Sequence, residues 1–147
     1  MTDRIEKSVE VEAPIERVWR AISDHREFGS WFRVRIDQPF ATGEESTGQM
    51  TYPGFEHYPW RARVVAMEEP HLFAYEWPHT DGSEKVREDW TWTRVEFRLE
   101  KIATGTRVTV TEYGFDQLPA ERRAEAYRLN EGGWEEQMRN IAAYVGG

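Results

Sequence analysis

The pattern of apolar and polar residues at the start of the chain predicts a strand followed by a helix. Ile5, Val9 and Val11 alternate with polar residues, as in a strand that buries one face, and Lys7 interrupts that apolar face. Pro14 favours the first position of a helix, because its missing N–H group needs no partner there. The helix that follows has apolar residues at the spacing of one buried face, namely Ile15, Val18, Trp19 and Ile22.

A second short helix and a series of strands are predicted over the next hundred residues. Ser23 or Asp24 can cap the short helix, which is predicted to end near Phe32. Strands separated by turn residues then follow at 33–39, 48–53, 60–68, 71–78, 91–101 and 106–115. Because the connections are short, the sequence predicts that these six strands form an antiparallel meander.

The C-terminal segment is predicted to be a helix that begins at Pro119 and continues to Val145, with a break at Gly132 and Gly133. Its second half has an apolar face that should pack against the sheet, formed by Trp134, Met138, Ile141 and Val145. Each glycine costs a helix about 1 kcal/mol relative to alanine. The pair therefore indicates a kink, a close approach of another backbone or an empty space, and we interpret it as the mark of a helix that crosses a cavity.

Composition and charge restrict the classes of function. The 147 residues have the length of one domain, which we place at 1–147. The absence of cysteine excludes disulfides, thiol catalysis and cysteine-ligated metal centres. A net charge of −8 and the lack of any signal-like or membrane-spanning segment predict a cytoplasmic protein without nucleic-acid partners or membrane insertion. Aromatic residues, at 14 % of the chain, fill a core or line a pocket.

Four motifs and the predicted order of elements carry a resemblance to a known family. The motifs are Val-Glu-Val-Glu-Ala-Pro-Ile-Glu-Arg-Val-Trp at 9–19, Trp31-Phe32, Val-Thr-Glu-Tyr-Gly-Phe at 110–115 and Gly133-Trp134. Together they resemble the START and birch-pollen-allergen-like (SRPBCC) superfamily, in the branch named for the activator of heat-shock protein 90 ATPase. The resemblance covers nearly the whole chain.

This resemblance implies an α+β helix-grip fold. In that fold a seven-stranded, curved antiparallel sheet wraps around a long C-terminal helix and encloses a cavity, and two short helices connect strands 1 and 2. The superfamily includes lipid carriers, hormone receptors, polyketide cyclases and co-chaperone domains, so the fold alone does not select a function.

Strand alternation predicts which side chains face the C-terminal helix. These are Trp60, Ala62, Val64, Ala66, Phe73, Tyr75, Trp77, Val95, Phe97 and Leu99. Most of them are expected to form packed core. Buried indole and phenol groups need hydrogen-bond partners, so Trp60, Tyr75, Trp77 and Trp134 are the best candidates for contact with a ligand, and Met138 is the next candidate on the helix.

Glu112 is the one acidic residue predicted to point inward. It shares the apolar face of Val108 and Val110, and a buried carboxylate must be paired, hydrogen-bonded or protonated. We expect Lys7 as its partner, since the first and last strands are neighbours in the helix-grip fold. The favoured interpretation is structural, an acid that closes one end of the cavity, and the alternative is a ligand anchor or a general acid.

The histidines do not predict a metal site. None of the four has the spacing typical of metal ligands, and the chain lacks a phosphate-binding loop, a nucleophile elbow and a dinucleotide motif. We therefore expect no metal or cofactor and no oxidoreductase, metallohydrolase or nucleotide-hydrolysing activity. His57 lies in the aromatic segment 52–60, predicted to form one lip of the cavity, and His79 begins a charged segment, 80–89, predicted to form a loop across the opening.

Three functions are compatible with these residues. The first, which we favour, is binding of a small hydrophobic, aromatic or lipid-like molecule in the cavity without catalysis, so that no catalytic residue is assigned. The second is a cavity enzyme of the polyketide cyclase or dehydratase type, with Glu112, His57 or Tyr75 as acid or base. The third is a protein-binding module that contacts a chaperone. The sequence makes no prediction of the oligomeric state.

Overall fold

A seven-stranded antiparallel sheet frames the protein in a computed structural model that describes residues 4–78 and 91–146. In space the strands follow the order β1-β7-β6-β5-β4-β3-β2. Their bounds are β1 (Arg4–Val11), β2 (Val34–Ile36), β3 (Glu45–Met50), β4 (Pro59–Glu68), β5 (Leu72–Pro78), β6 (Trp92–Ile102) and β7 (Gly105–Tyr113). The predicted charged loop that begins at His79 lies outside the described residues.

Two short helices connect β1 to β2, and one long helix ends the chain. The short helices are α1 (Ile15–Ser23) and α2 (His25–Phe32), and the long helix is α3 (Ala120–Gly146). Asp24 caps α2, because its Oδ1 accepts hydrogen bonds from the backbone N–H groups of Arg26 and Glu27. The predicted α+β helix-grip architecture is thus confirmed, including the two helices between the first two strands.

The inner face of the sheet, which we define as the face toward α3, carries the aromatic core. Across β5, β6 and β7, Tyr75 pairs with Val95 and Val95 with Glu112, so these three side chains form one row. Phe28 of α2 stacks on Phe32 with ring centroids 4.9 Å apart and packs edge-on against the Tyr75 ring. The inward positions predicted from strand alternation are mostly buried.

The inward prediction for Ala66 is wrong. An irregularity between Val64 and Ala66 shifts the register of β4, so that Ala66 pairs with Ala74 and Met67 lies opposite Phe73.

Two strands, β2 and β3, differ most from the prediction. The predicted strands at 33–39 and 48–53 are β2 and β3, and β3 begins earlier because the turn includes Gly43, which has φ of +86°, but not Gly48. Gly48 lies within β3, opposite Ile36, and a side chain there would clash with the carbonyl oxygen of Arg35. Gly48 thus permits close pairing of two strands rather than a turn.

The predicted break at Gly132 and Gly133 is wrong. Helix α3 continues through both residues, because packing of Trp134, Met138 and Ile141 holds its second half against the sheet. A methyl group added to either glycine would meet no atom within 4 Å. Of the three explanations for the glycine pair, open space is therefore the one that fits.

Replacement of either glycine by alanine is expected to stabilise the protein. Both residues are helical and have open space at the Cβ position, so Gly132→Ala and Gly133→Ala should each raise the free energy of unfolding by about 0.5–1 kcal/mol. Urea unfolding of the two variants beside the wild type measures this. A lower stability in either variant would mean that the helix is locally strained at the glycine.

The outer face of the sheet holds a buried acid of its own. The Glu96 side chain is only 8 % exposed and accepts hydrogen bonds from Arg94 Nε at 2.8 Å and Arg98 Nη2 at 3.0 Å. Burial favours a higher pKa for Glu96, but hydrogen bonds from Tyr113 and Arg94 and the charge of Arg98 outweigh it and lower the pKa from its ordinary value. Glu96 therefore stabilises the fold as a carboxylate.

This lowered pKa predicts a pH dependence of stability. The contribution of Glu96 should be fully present above about pH 4.3, the ordinary glutamate pKa. It should be lost as the pH falls through the lower pKa of the folded state, because the unfolded chain takes up the proton first. Urea unfolding from pH 7 to pH 3 should show the stability difference between wild type and Glu96→Gln shrinking below that value. A difference that does not change with pH would contradict the role of the charge.

Candidate functional site

A cleft of about 710 Å³ opens between α3 and the strands β3 to β5. Its floor is aromatic and apolar, formed by Phe32, Met50, Trp60, Trp77 and Trp134. Its mouth is formed on the sheet side by Tyr52, Phe55 and Tyr58 and on the helix side by Ala126, Leu129 and Gly133. Polar side chains from both sides, among them Arg61, Asn130 and Gln137, complete the lining.

Gly133 keeps the cleft open. It faces the cleft from α3, one residue before Trp134, and nothing lies within 4 Å of the position that its Cβ would occupy. A larger side chain at this position would project into the cleft. Glycine at this position therefore leaves space beside the aromatic floor, at a cost in helix stability.

The rings of the floor contact one another. Trp77 and Trp134 stack with centroids 5.6 Å apart and an interplanar angle of 27°. Trp60 packs edge-on against Trp77 at 5.8 Å and against Phe32 at 5.6 Å. The indole of Trp60 is fixed by a hydrogen bond from Nε1 to Ser46 Oγ at 2.9 Å. Trp77, the most exposed of these rings, offers apolar contact to a planar ligand.

Glu112 lies directly beneath the tryptophan pair and is fully buried. Its Oε2 accepts hydrogen bonds from Trp77 Nε1 at 2.8 Å and Thr93 Oγ1 at 2.6 Å. Its Oε1 accepts hydrogen bonds from Trp134 Nε1 at 2.8 Å and Asn130 Nδ2 at 2.9 Å. An indole N–H can only donate, so this arrangement suits a carboxylate rather than a protonated acid.

These contacts make Glu112 a link between the sheet and α3. Two donors come from the sheet, Trp77 and Thr93, and two come from α3, Asn130 and Trp134. A carboxylate has about four lone-pair sites, and these four donors within the described residues suffice to fill them. The prediction that Glu112 points inward and is hydrogen-bonded agrees with the structure.

The prediction that Lys7 is the partner of Glu112 is wrong. Lys7 pairs in register with Val110 rather than Glu112, and its Nζ lies 3.8 Å from Glu131 and 4.0 Å from Glu135 on α3. The flexible lysine side chain reaches outward from the edge strand to these solvated carboxylates, which spares its charge the cost of desolvation.

Tyr75 lies one layer deeper than predicted. It does not line the cleft, since its ring packs behind Trp60 and Trp77 with centroid distances of 5.6 and 5.3 Å. Its hydroxyl is buried without a hydrogen-bond partner among the described residues. Burial, and secondly the charge of Glu112, raise the pKa of Tyr75 well above its ordinary value, so the phenol keeps its proton.

Two other predicted site residues lie outside the lining. Met138 lies on the buried face of α3, within the core. His57 is exposed in the β3–β4 connection, where its ring contacts Tyr58 at 4.2 Å. The aromatic segment around His57 does form one side of the mouth, as predicted, but through Tyr52, Phe55 and Tyr58.

A contact at the mouth joins its two sides. The pKa of the Tyr52 phenol is raised, first by a hydrogen bond with the Glu136 carboxylate of α3. The Arg33 guanidinium lies over the Tyr52 ring, 5.6 Å from its centroid. Phe55 and Leu129, on opposite sides, are 50 % and 62 % exposed. Apolar surface therefore extends from the floor of the cleft to solvent.

Several residues of this site were not identified from the sequence. Thr93 and Asn130 were missed because a hydrogen bond to a residue about twenty positions away leaves no periodic signal. Phe32 was assigned to the second helix without a role in the cavity. Only its place at the end of α2, where the chain turns toward the sheet, brings it to the cleft.

A second depression, of about 890 Å³, lies on the outer face of the sheet. Charged and polar residues line it, including Arg4, Glu6, Glu96 and Arg98. Glu96 is paired with arginines of its own strand, so its charge is already compensated. We place the candidate site in the aromatic cleft, where an apolar surface remains uncovered.

Two further structural findings bear on the class of site. Within residues 4–78 and 91–146, no group of three or more histidine, aspartate or glutamate side chains could hold a metal ion. Over the same residues, no helix is long and apolar enough to cross a membrane.

Comparison with known proteins places the chain in a family. The sequence profile described as Activator of Hsp90 ATPase homolog 1-like protein matches residues 12–146. A search of curated proteins finds no match. Protein MLL2253 from Mesorhizobium loti is similar in structure, with a TM-score of 0.77, 19 % identity and coverage of 97 % of this chain and 96 % of that one.

Two more solved structures show the same fold. Protein Ms6760 from Mycobacterium smegmatis has a TM-score of 0.77, 20 % identity and coverage of 98 % of this chain and 91 % of that one. DynU16, a protein in the dynemicin biosynthetic locus, has a TM-score of 0.70 and 19 % identity, and the match covers 99 % of this chain but 48 % of DynU16. Because the family profile covers nearly the whole sequence and these structures share its architecture, the chain belongs to the Activator of Hsp90 ATPase homolog 1-like family within the SRPBCC superfamily.

Proposed function

We propose that this protein binds a small, largely apolar molecule with an aromatic or lipid-like body in the cleft beside α3. The observation that carries the proposal is a cleft in which an aromatic floor with a half-buried Trp77 continues to exposed Phe55 and Leu129 at the mouth. It lies next to a helix that has glycine where a side chain would fill the space. Such a surface in contact with water is costly unless something covers it.

Size and chemistry support this proposal. A volume of about 710 Å³ lies within the range of small-molecule sites, about 300–1,000 Å³. Flat rings on the floor favour a planar body, and the polar groups at the rim can orient it. The family's fold is typically one with a ligand-binding cavity, which agrees with this use of the cleft.

Binding is favoured over catalysis by the state of the buried titratable groups. A cavity enzyme needs acid and base groups that converge on the substrate. The lone pairs of Glu112 are occupied by Trp77, Thr93, Asn130 and Trp134, so this carboxylate is suited to positioning the floor. No observation on the described residues favours the chaperone-binding alternative, which stays a prediction.

A ligand-observed NMR screen tests the proposal. Planar aromatic compounds, fatty acids and compounds related to dynemicin, the last because DynU16 belongs to that biosynthetic locus, should be compared with polar compounds of similar size. We expect saturation transfer to apolar aromatic compounds and quenching of tryptophan fluorescence by the same compounds. Absence of binding across the apolar panel at millimolar concentration would overturn the proposal.

A further inference from the structure

We propose that the bound molecule presents a neutral hydrogen-bond acceptor, such as a ketone carbonyl, to the hydroxyl of Tyr75. This inference rests on the proposed function, and it specifies the chemical class of the ligand: an apolar aromatic body with a carbonyl at its inner end. The hydroxyl would donate the hydrogen bond, and the tryptophans of the floor would contact the rings.

The first observation is the isolation of the Tyr75 hydroxyl. The residue is 1 % exposed and its hydroxyl has no partner among the described residues. Buried polar groups in folded proteins are almost always hydrogen-bonded, and a missing partner at such a group calls for a specific cause. A phenylalanine would fill the same space without this cost, so the hydroxyl is an unused donor beside the candidate site.

The second observation is its position relative to the cleft. The Tyr75 ring touches Trp60 and Trp77, both of which line the floor. Only one layer of rings therefore separates the Tyr75 ring from the cleft. Trp60 is buried, whereas Trp77 is half-buried. The inference requires a shift of the less buried ring, Trp77, with its indole still hydrogen-bonded to Glu112.

The third observation selects a neutral group over an anionic one. Glu112 lies in the same row of the sheet as Tyr75, one strand beyond Val95, and raises the pKa of the phenol through its charge. The phenol therefore stays a donor, while a carboxylate or phosphate placed beside it would be repelled by Glu112. A ketone, ester or quinone carbonyl meets both conditions.

Three naphthalenes of nearly equal shape test this inference: 2-acetylnaphthalene, 2-isopropylnaphthalene and 2-naphthoate. Their affinities for wild type and Tyr75→Phe are measured by tryptophan fluorescence. We expect the substitution to weaken binding of the ketone about 3- to 10-fold, the size of one net hydrogen bond, and to leave the hydrocarbon unchanged. The carboxylate should bind the wild type more weakly than the ketone.

The carbonyl stretching band of bound 2-acetylnaphthalene gives an independent readout. A hydrogen bond from Tyr75 should shift the infrared band to lower wavenumber in the wild type, and Tyr75→Phe should abolish the shift. Tyr144→Phe is the matched control, because it removes a phenol hydroxyl that lies outside the cleft, hydrogen-bonded to Glu27, and it should keep the shift. Thermal unfolding verifies that each variant is folded.

The outcomes separate the two proposals. If the ketone and the hydrocarbon bind wild type and Tyr75→Phe with unchanged affinities, and the infrared band does not differ, the cleft binds ligands but the Tyr75 inference is wrong. If none of the three compounds binds at millimolar concentration and the apolar panel also fails, the proposed function falls and the inference falls with it.

Discussion

Substitution of Glu112 by glutamine is expected to lower the free energy of unfolding by about 2–4 kcal/mol, because hydrogen bonds to a charged group contribute about 1.5–3 kcal/mol each. Glutamine keeps one acceptor oxygen but turns an NH₂ group toward two of the donors, which are Trp77 and Thr93 or Asn130 and Trp134. The substitution should weaken contacts on both sides of the site, because the carboxylate accepts hydrogen bonds from the sheet and from α3.

Thermal and urea unfolding measure this effect. For a chain of 147 residues, a loss of this size corresponds to a decrease in Tm of roughly 5–15 °C. Glu135→Gln is the matched control, because Glu135 lies on the exposed side of α3 and should change stability by less than about 0.5 kcal/mol. Equal unfolding of Glu112→Gln and wild type would show that the four contacts do not stabilise the fold.

Substitution of Gly133 by leucine is expected to weaken ligand binding roughly 5- to 100-fold, because overlap of atoms in a packed space costs about 1–3 kcal/mol. The side chain would project from α3 into the cleft, next to Trp134. The helix itself should become more stable, since leucine is a better helix former than glycine. A variant that is more stable yet binds less is difficult to explain by loss of folding.

Gly132→Leu is the control for this prediction. Gly132 precedes Gly133 by about 100° around the helix and does not line the cleft, although it is equally exposed and has equal room for a side chain. Both variants are titrated with a compound that binds the wild type. Equal affinity in Gly133→Leu and Gly132→Leu would place the ligand elsewhere on the protein.

The fold followed from the sequence because its signals are local. Each signal predicts a single strand or helix. Examples are the alternation in the strands, Asp24 at the start of a helix, and the apolar spacing of Trp134, Met138 and Ile141. The Gly132 and Gly133 pair was misleading as a break, because propensity is a weak determinant once tertiary packing holds part of a helix in place. The same pair was informative as a sign of open space.

The site was less predictable, because it depends on how deeply each side chain is buried and how far it extends from its strand or helix. Period-two counting correctly turned Glu112 inward, but it could not tell that donors from two strands and α3 would meet there, or that Lys7 would turn outward. It also placed Tyr75 and Trp77 on one face, as the structure does, without showing that Tyr75 lies behind the tryptophan floor. Those differences arise from sheet curvature and side-chain packing, which alternation does not encode.

The most direct test of ligand binding in the cleft is the ¹H–¹⁵N spectrum of the tryptophan indoles during titration with a compound from the apolar panel. The chain has seven tryptophans. We predict that the indole signals of Trp60, Trp77 and Trp134, which line the cleft, shift with the ligand, while those of Trp19 and Trp31, which lie on the two short helices, do not. Saturable binding that moves only Trp19 or Trp31, or moves no indole signal, would contradict a site beside α3.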